Sequence, residues 1–362
     1  MIDVIVIGAG IAGASTAFSL KKRGLNPLVL EKKSVCSGGS AAAGAFLSPK
    51  ISKPSLYKNY LNHTLKYALK FYASYFPQLL QKNGLLKLPI DEEDQLRCKN
   101  YEAYIDFPWQ KQGNAYFFPE AGMIPPHKLC QALLENIDLI ESYEVKEILH
   151  DGEVWHINGE YQAKYVVLAT GDTPEPFSLP YLKSKKIGGY RYDVTFSGFD
   201  QINHNIHKEV SLSTHMKEYL IVGATHIRGN VDLSKAAEED SHHLLEKAED
   251  ILPMPDLKII RNYIGYRRFS FDYFPFVGAV VNAEETIKAY PYIRNGTKVP
   301  LTKYHYFPNL YLHTALGSRG FVFAPYNAHM IAEAICDKID LPDYLSPALR
   351  FQKWARKSAH TV

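Results

Sequence analysis

The chain has 362 residues, 46% of them hydrophobic and 22% charged, a globular balance that excludes a disordered, collagen-like or coiled-coil protein. It is long enough to bury a large core without disulfide or metal staples, and its four cysteines, Cys36, Cys98, Cys130 and Cys336, are widely spaced with no CxxC pair, so a reducing cytoplasm is expected. Formal charge is only +3, so a nucleic-acid partner would need a local basic patch.

Residues 4–20 carry no charge, but Gly8, Gly10 and Gly13 interrupt them, Ser15, Thr16 and Ser19 follow, and no basic segment precedes them. Neither a membrane span nor a signal peptide is expected. Residues 4–7 read instead as a buried parallel strand. A helix over 12–20 then ends in Lys21, Lys22 and Arg23, with Gly24 as its cap, and 27–31 read as a second strand. Apolar residues at helical spacing predict a long helix from 56 to about 80, and Pro125 opens another to 134. Strands are expected over 154–157 and 165–169. Between about 180 and 300 the chain reads as a separate mixed layer, with aromatic strands over 190–196, 219–222 and 275–281 and a polar helix over 234–251. A last buried strand over 310–314 leads through Gly317-Ser318-Arg319-Gly320 into a helix running to about 338.

The strongest local signal is Gly8-x-Gly10-x-x-Gly13 between a strand and a helix. Gly8 permits the tight turn, Gly10 lets the backbone approach a pyrophosphate, and Gly13 lets helix and strand pack closely. The diphosphate would sit on free N–H groups at the helix N-terminus. Glu31, closing the second strand, can accept hydrogen bonds from ribose hydroxyls and repels a 2'-phosphate, which disfavours NADP. FAD and NAD share this fingerprint. FAD is favoured because the strand ending in Ala169-Thr170-Gly171 resembles the returning segment of two-dinucleotide-fold flavoproteins, and because the late helix after Gly320 can turn its N-terminus toward the charge that develops on a reduced flavin.

Taken together, the fingerprint, Glu31, the segments Ser37-Gly38-Gly39-Ser40 and Gly44-Ala45-Phe46-Leu47-Ser48-Pro49-Lys50, and the regions of Arg267 and Arg319 resemble the FAD-dependent amine oxidoreductases related to D-amino-acid oxidase and glycine oxidase. More narrowly, Gly122-Met123-Ile124-Pro125, Gly223-Ala224-Thr225-His226-Ile227-Arg228-Gly229, Gly265-Tyr266-Arg267 and Ala315-Leu316-Gly317-Ser318-Arg319-Gly320 resemble the oxidoreductase half of the bifunctional tRNA-modifying MnmC family. Two departures stand out: Gly189-Tyr190 replaces the broader family's Gly-Gln or Gly-Glu, and Phe271 stands where an arginine is expected.

The resemblance implies an α/β fold: a Rossmann-like FAD-binding domain (1–56, 120–180 and 306–362) and a second, mixed-sheet α+β substrate domain (57–119 and 181–305), as in glycine oxidase. It implies non-covalent FAD held by Gly8, Gly10, Ile11, Ala12, Gly13, Glu31, Lys32, Gly38, Gly39, Ser40, Gly44, Ala45, Thr170, Gly171, Gly317, Ser318, Gly320 and Phe321. It further implies removal of the carboxymethyl group from 5-carboxymethylaminomethyl-uridine, with or without 2-thiolation, at the tRNA wobble position. The methyltransferase half has no counterpart in the sequence, so a separate methyltransferase is expected if the product is methylated at all.

Oxidising such a secondary amine needs an anchor for its carboxylate but no protein nucleophile or metal. Arg267 and Arg319 are the candidates, since a guanidinium grips a carboxylate through two parallel hydrogen bonds; a structural ion pair is the alternative for each. Tyr266 could shape the pocket or donate a hydrogen bond, although packing is the commoner role among 25 tyrosines. The 14 histidines show no metal-ligand spacing, and no metal is expected. Lys183, Lys185, Lys186 and Arg191, or Arg350, Lys353, Arg356 and Lys357 along one helix face, would contact tRNA, the alternative for each being a solvated face. A small-molecule amine or amino-acid oxidase acting on glycine or sarcosine, and a non-catalytic flavin-binding module, are the competing readings.

Overall fold

The computed structural model describes residues 2–171, 175–229, 232–233, 235 and 241–358. Its first unit is built from short, wholly apolar strands and a helix of small residues. β1 (Val4–Ile7) is buried at every position, and so is β2 (Pro27–Leu30). Between them α1 (Ile11–Lys22) buries Ala12, Gly13, Ala14, Ser15, Thr16 and Ala17, whose small side chains let it lie close to the sheet. Lys21 and Lys22 end it, and Gly24 takes the left-handed conformation at φ +84° that releases the chain.

Ser55 caps α2 (Leu56–Tyr75) by accepting a hydrogen bond from Lys58 N–H at 3.1 Å. The helix stops at Tyr75 rather than near residue 80, because Phe76 precedes Pro77, whose ring disfavours helical backbone in the residue before it. β3 (Leu85–Lys87) follows. Asp91 then caps α3 (Glu92–Asn100), accepting from Asp94 N–H at 2.7 Å, and β4 (Ala115–Phe118) comes next. The chain continues through α4 (Pro126–Leu134), β5 (Asp138–Ile140), β6 (Tyr165–Leu168), β7 (Ser184–Thr195), β8 (Leu220–Gly223), α5 (Ser241–Glu249) and β9 (Lys258–Ser270). It ends with β10 (Phe276–Val281), α6 (Ala283–Ala289), β11 (Tyr306–Thr314), α7 (Gly320–Cys336) and α8 (Pro347–Ser358).

A six-stranded sheet has the order β10-β11-β6-β1-β2-β5, parallel except for the antiparallel pair β10 and β11. One apolar core lies between this sheet and α1, α2, α4 and α7, and a second lies on its other face under α8. A nine-stranded mixed sheet carries β3, β4, β7 and β8, with β9 paired antiparallel to β7 along almost its whole length. Its own core packs against α5. The mixed α/β architecture with two large sheets is the one the sequence implied.

Three elements fall elsewhere than expected. The 276–281 run is β10, an edge of the first sheet rather than part of the second layer; Gly278 sits opposite Leu312. α2 leans on the first layer too: Tyr60 stacks near Phe323 at 4.9 Å and Tyr72 Oη donates to Phe321 O at 2.8 Å. Of the polar helix expected over 234–251, α5 forms the C-terminal part, and residues 234 and 236–240 lie outside the described residues. Among the described residues, no helix is long and apolar enough to cross a membrane.

Candidate functional site

The turn between β1 and α1 is fixed by close backbone packing. Gly8 has φ +110°, and a Cβ there would meet Ala169 O at 2.5 Å; one on Gly13 would meet Gly8 O at 1.8 Å. A Cβ on Gly10 would stand 3.1 Å from Ser40 Oγ, which itself accepts from Ile11 N–H at 3.0 Å. With no acidic side chain in its first turn, the N-terminus of α1 offers N–H groups and dipole to an anion. Glu31 Oε2 accepts from Ala9 N–H at 2.7 Å and Oε1 from Lys33 N–H at 2.9 Å. Each oxygen keeps a further lone pair for a hydroxyl. Bare glycine backbone, a helix N-terminus and a fixed carboxylate together fit the diphosphate and ribose of a dinucleotide.

A cavity of 840 Å³ opens from this turn. Gly8, Gly10, Ile11, Ala12, Glu31, Lys32, Gly38, Gly39, Ser40, Gly44, Ala45, Thr170, Gly171, Gly317, Ser318, Gly320 and Phe321 all line it, as do Tyr266, Arg267 and Arg319. Gly13 does not, because its place is the contact of α1 with Gly8 and Ala169 behind the turn. The strand β9 is pressed onto the 38–40 loop: a Cβ on Gly39 would lie 2.3 Å from Tyr266 O.

Arg267 is 7% exposed, and burial alone lowers its pKa to about 10. Its guanidinium rests on the backbone of Gly189, where a Cβ would meet Nη2 at 2.5 Å, so the absence of a side chain at this glycine is what gives the arginine room. Its Nη1 has no hydrogen-bond partner. Arg319 is half-buried and donates from Nη1 to Ser48 O at 2.9 Å and Ser48 Oγ at 3.3 Å; burial lowers its pKa, against a smaller opposing effect of Tyr57. Neither arginine forms an ion pair with a carboxylate among the described residues. Arg268, by contrast, is tied to Glu175 and to Ser184 Oγ at 2.9 Å.

The wall beside Arg319 holds groups that no sequence motif had marked. His207 is pulled down to a pKa of about 3, first by burial and then by Lys87 and Arg319, so it is a neutral imidazole, with Nδ1 2.8 Å from Ser211 Oγ. Burial, then Arg319, also lowers the Lys50 pKa. Lys87, Asp94 and Arg97 complete this end, where Asp94 is the one carboxylate among the described lining residues besides Glu31. Asp94 could have been found from Asp91-Glu92-Glu93-Asp94, a helix-start signature followed by Arg97 at i, i+3. Nothing local betrays His207, which reaches the cavity only through sheet pairing.

The expected basic surfaces are partly dismantled. Arg191 is 2% exposed and donates to Ala41 O at 2.9 Å. Arg350 is buried as well, bonded to Tyr344 O and to Asp272 at 3.1 Å, because β10 and α8 pack their apolar faces together and take it with them. Lys183, Lys186, Lys353, Arg356 and Lys357 remain exposed, and Lys185 is half-buried. Among the described residues there is no cluster of three side chains suited to a metal.

Comparison with known proteins gives this geometry its context. A family model described as FAD dependent oxidoreductase matches residues 3–334. The chain is 26% identical to a Campylobacter fetus protein named tRNA 5-methylaminomethyl-2-thiouridine biosynthesis bifunctional protein MnmC, over 96% of this chain and 59% of that protein. A Dichelobacter nodosus protein of the same name is 27% identical, over 91% of this chain and 54% of its own length. The chain thus spans little more than half of these relatives. Among solved structures, glycine oxidase from Geobacillus kaustophilus superposes with a TM-score of 0.70 at 20% identity, covering 95% of this chain and 97% of that one. A dinucleotide cradle built on Gly8, Gly10 and Gly13 and a family match across nearly the whole chain lead to one conclusion: this protein belongs to the FAD-dependent oxidoreductases and takes FAD as its cofactor.

Proposed function

We propose that the chain oxidises the CH–NH bond of 5-carboxymethylaminomethyl-uridine, with or without 2-thiolation, at the tRNA wobble position, with water consumed and glyoxylate and 5-aminomethyl-uridine released. The observation that carries this reading is Arg267: a guanidinium 7% exposed, lining the cavity, with Nη1 unpartnered, which is a buried charge set for an anion. The substrate's carboxylate supplies that anion. The names of the Campylobacter and Dichelobacter relatives support a tRNA substrate and, with it, the cytoplasm as its compartment.

FAD, when bound, accepts the two electrons of the C–N oxidation. The 8–13 turn, Glu31, the 38–45 loop and the 317–321 turn would hold it. Arg267 and Arg319 grip the carboxylate, Arg319 being itself held by Ser48. Arg267, Arg319 and Lys50, all lining the cavity, would bring positive potential to the substrate's amine, which lowers the amine's pKa and keeps its lone pair free. Tyr266 forms part of the wall beside Arg267.

A second reading, a small-molecule amine oxidase, is favoured by the likeness to glycine oxidase. The experiment that separates the two takes the purified yellow protein, with FAD measured by absorbance, and incubates it with hypomodified tRNA and, separately, with glycine and sarcosine. Loss of the carboxymethyl group from digested nucleosides is expected. Peroxide from the free amino acids with unchanged tRNA would establish the second reading instead.

A further inference from the structure

Lys87, Asp94 and Arg97 stand side by side on the cavity wall, from β3 and α3. Asp94 is 4% exposed. Burial works to raise its pKa, but hydrogen bonds from Ile90 N–H at 3.0 Å, from Lys87 Nζ at 3.3 Å and from Arg97 outweigh it and hold the group an anion. A carboxylate has about four acceptor positions. Three are filled by these donors, while Cys98 Sγ at 3.8 Å is a weak contact, so one strong position is left. Lys87 Nζ donates to Leu88 O at 3.0 Å and to Asp94, keeping a third N–H. Arg97 has its side chain 57% exposed and spends part of its fork on Asp94. Lys87 and Arg97 bond to different oxygens of Asp94 and so flank it, and the wall offers a donor, an acceptor and a donor. Ile90, 43% exposed and also lining the cavity, provides an apolar surface beside them.

A uracil ring presents the complement of that set: an acceptor at C4, the N3–H donor and an acceptor at C2. Resting on the wobble-uridine reading above, we infer that Lys87, Asp94 and Arg97 recognise this edge, Asp94 taking the N3–H and the two cations donating to the flanking acceptors. Cytosine would meet the same wall donor against donor and acceptor against acceptor, and so be rejected. An amino acid such as glycine is held by the arginines alone and has no group for this wall, which places nucleobase selection here and carboxylate capture at Arg267 and Arg319.

The test uses the FAD-loaded enzyme and an anticodon stem–loop RNA carrying 5-carboxymethylaminomethyl-uridine, with and without a methyl group on N3 of that base. The wild type should lose on the order of ten- to a hundred-fold in kcat/KM on the N3-methylated RNA, because the one open acceptor position of Asp94 loses its donor and meets a methyl group instead. Asp94→Asn should discriminate little between the two RNAs. Arg97→Ala, at an exposed position that tolerates truncation, should retain its FAD and lose about tenfold on the unmethylated RNA, mainly through KM. Equal rates of the wild type on both RNAs, or an FAD-loaded Arg97→Ala enzyme as fast as the wild type, would overturn the assignment. A wild type that leaves both RNAs intact while sarcosine bleaches its flavin overturns the wobble-uridine reading, and this assignment falls with it.

Discussion

The two ends of the cavity are made differently. The cradle end comes from one short stretch, β1 to β2 with its glycine turn, and its shape is set by backbone in contact with backbone. The other end, where the substrate is proposed to bind, is assembled from side chains on β3, α3, β9 and the loop before α7, far apart in sequence, and it is held by charge placement. The first therefore fails by collision, the second by loss of a charge. A local, steric site leaves a signature in the sequence; a distributed, electrostatic one leaves separate residues whose meaning appears only when the sheets bring them together.

Gly13→Ala is the harshest way to probe that contrast. A methyl 1.8 Å from Gly8 O must push α1 off β1, with an expected loss of roughly 3 kcal/mol of stability and of bound FAD, read by Tm and flavin absorbance. Arg267→Met should do the reverse. Removing a buried charge that has no carboxylate partner leaves stability unchanged or raised by ~1 kcal/mol, while kcat/KM drops on the order of a hundredfold or more with FAD retained. A Tm lowered as much as by Gly13→Ala would show that Arg267 is structural. Arg350→Met should cost about 1–3 kcal/mol through the lost bonds to Tyr344 and Asp272, yet leave the salt dependence of KM for tRNA as in the wild type. Charge reversal at exposed Lys353 or Lys357 should lower that salt slope by about one unit.

The gentlest test is acid stability. His313, fully buried beneath the cradle with Nδ1 2.8 Å from Thr16 Oγ1, has its pKa driven to about 3 by burial. The unfolded chain protonates this residue near pH 6.5 and the folded one only near 3, so its stability contribution is complete above 6.5 and is lost as pH falls through that window. His313→Gln should flatten the slope of unfolding free energy between pH 4 and 6 by about 1.4 kcal/mol per pH unit. An unchanged slope would mean that His313 titrates normally in the folded protein.

How much could be read in advance follows from the same contrast. The β1–α1–β2 unit, the 165–171 strand and turn, and the 317–320 turn were legible because hydrophobic run, glycine and helix start lie within a few residues of each other. Arg267 and Arg319 were reached only through resemblance. The ending of α2 was missed because the apolar stripe runs on past Pro77 while the backbone cannot. β10 was misplaced because a fully buried strand reads alike in either sheet, and Arg191 and Arg350 looked like surface charges because sequence does not show which face a neighbouring element will cover.

The seam where Gly39 meets Tyr266 O at a distance that admits no side chain has a mechanical consequence. Tyr266 is followed directly by Arg267, so a displacement of the 38–40 loop that moves Tyr266 is passed to the strand residue carrying the buried guanidinium. On the role proposed for Arg267, loading the nucleotide and setting that arginine are coupled: an enzyme emptied of its flavin should grip carboxylates poorly even though every residue of the proposed grip is still present.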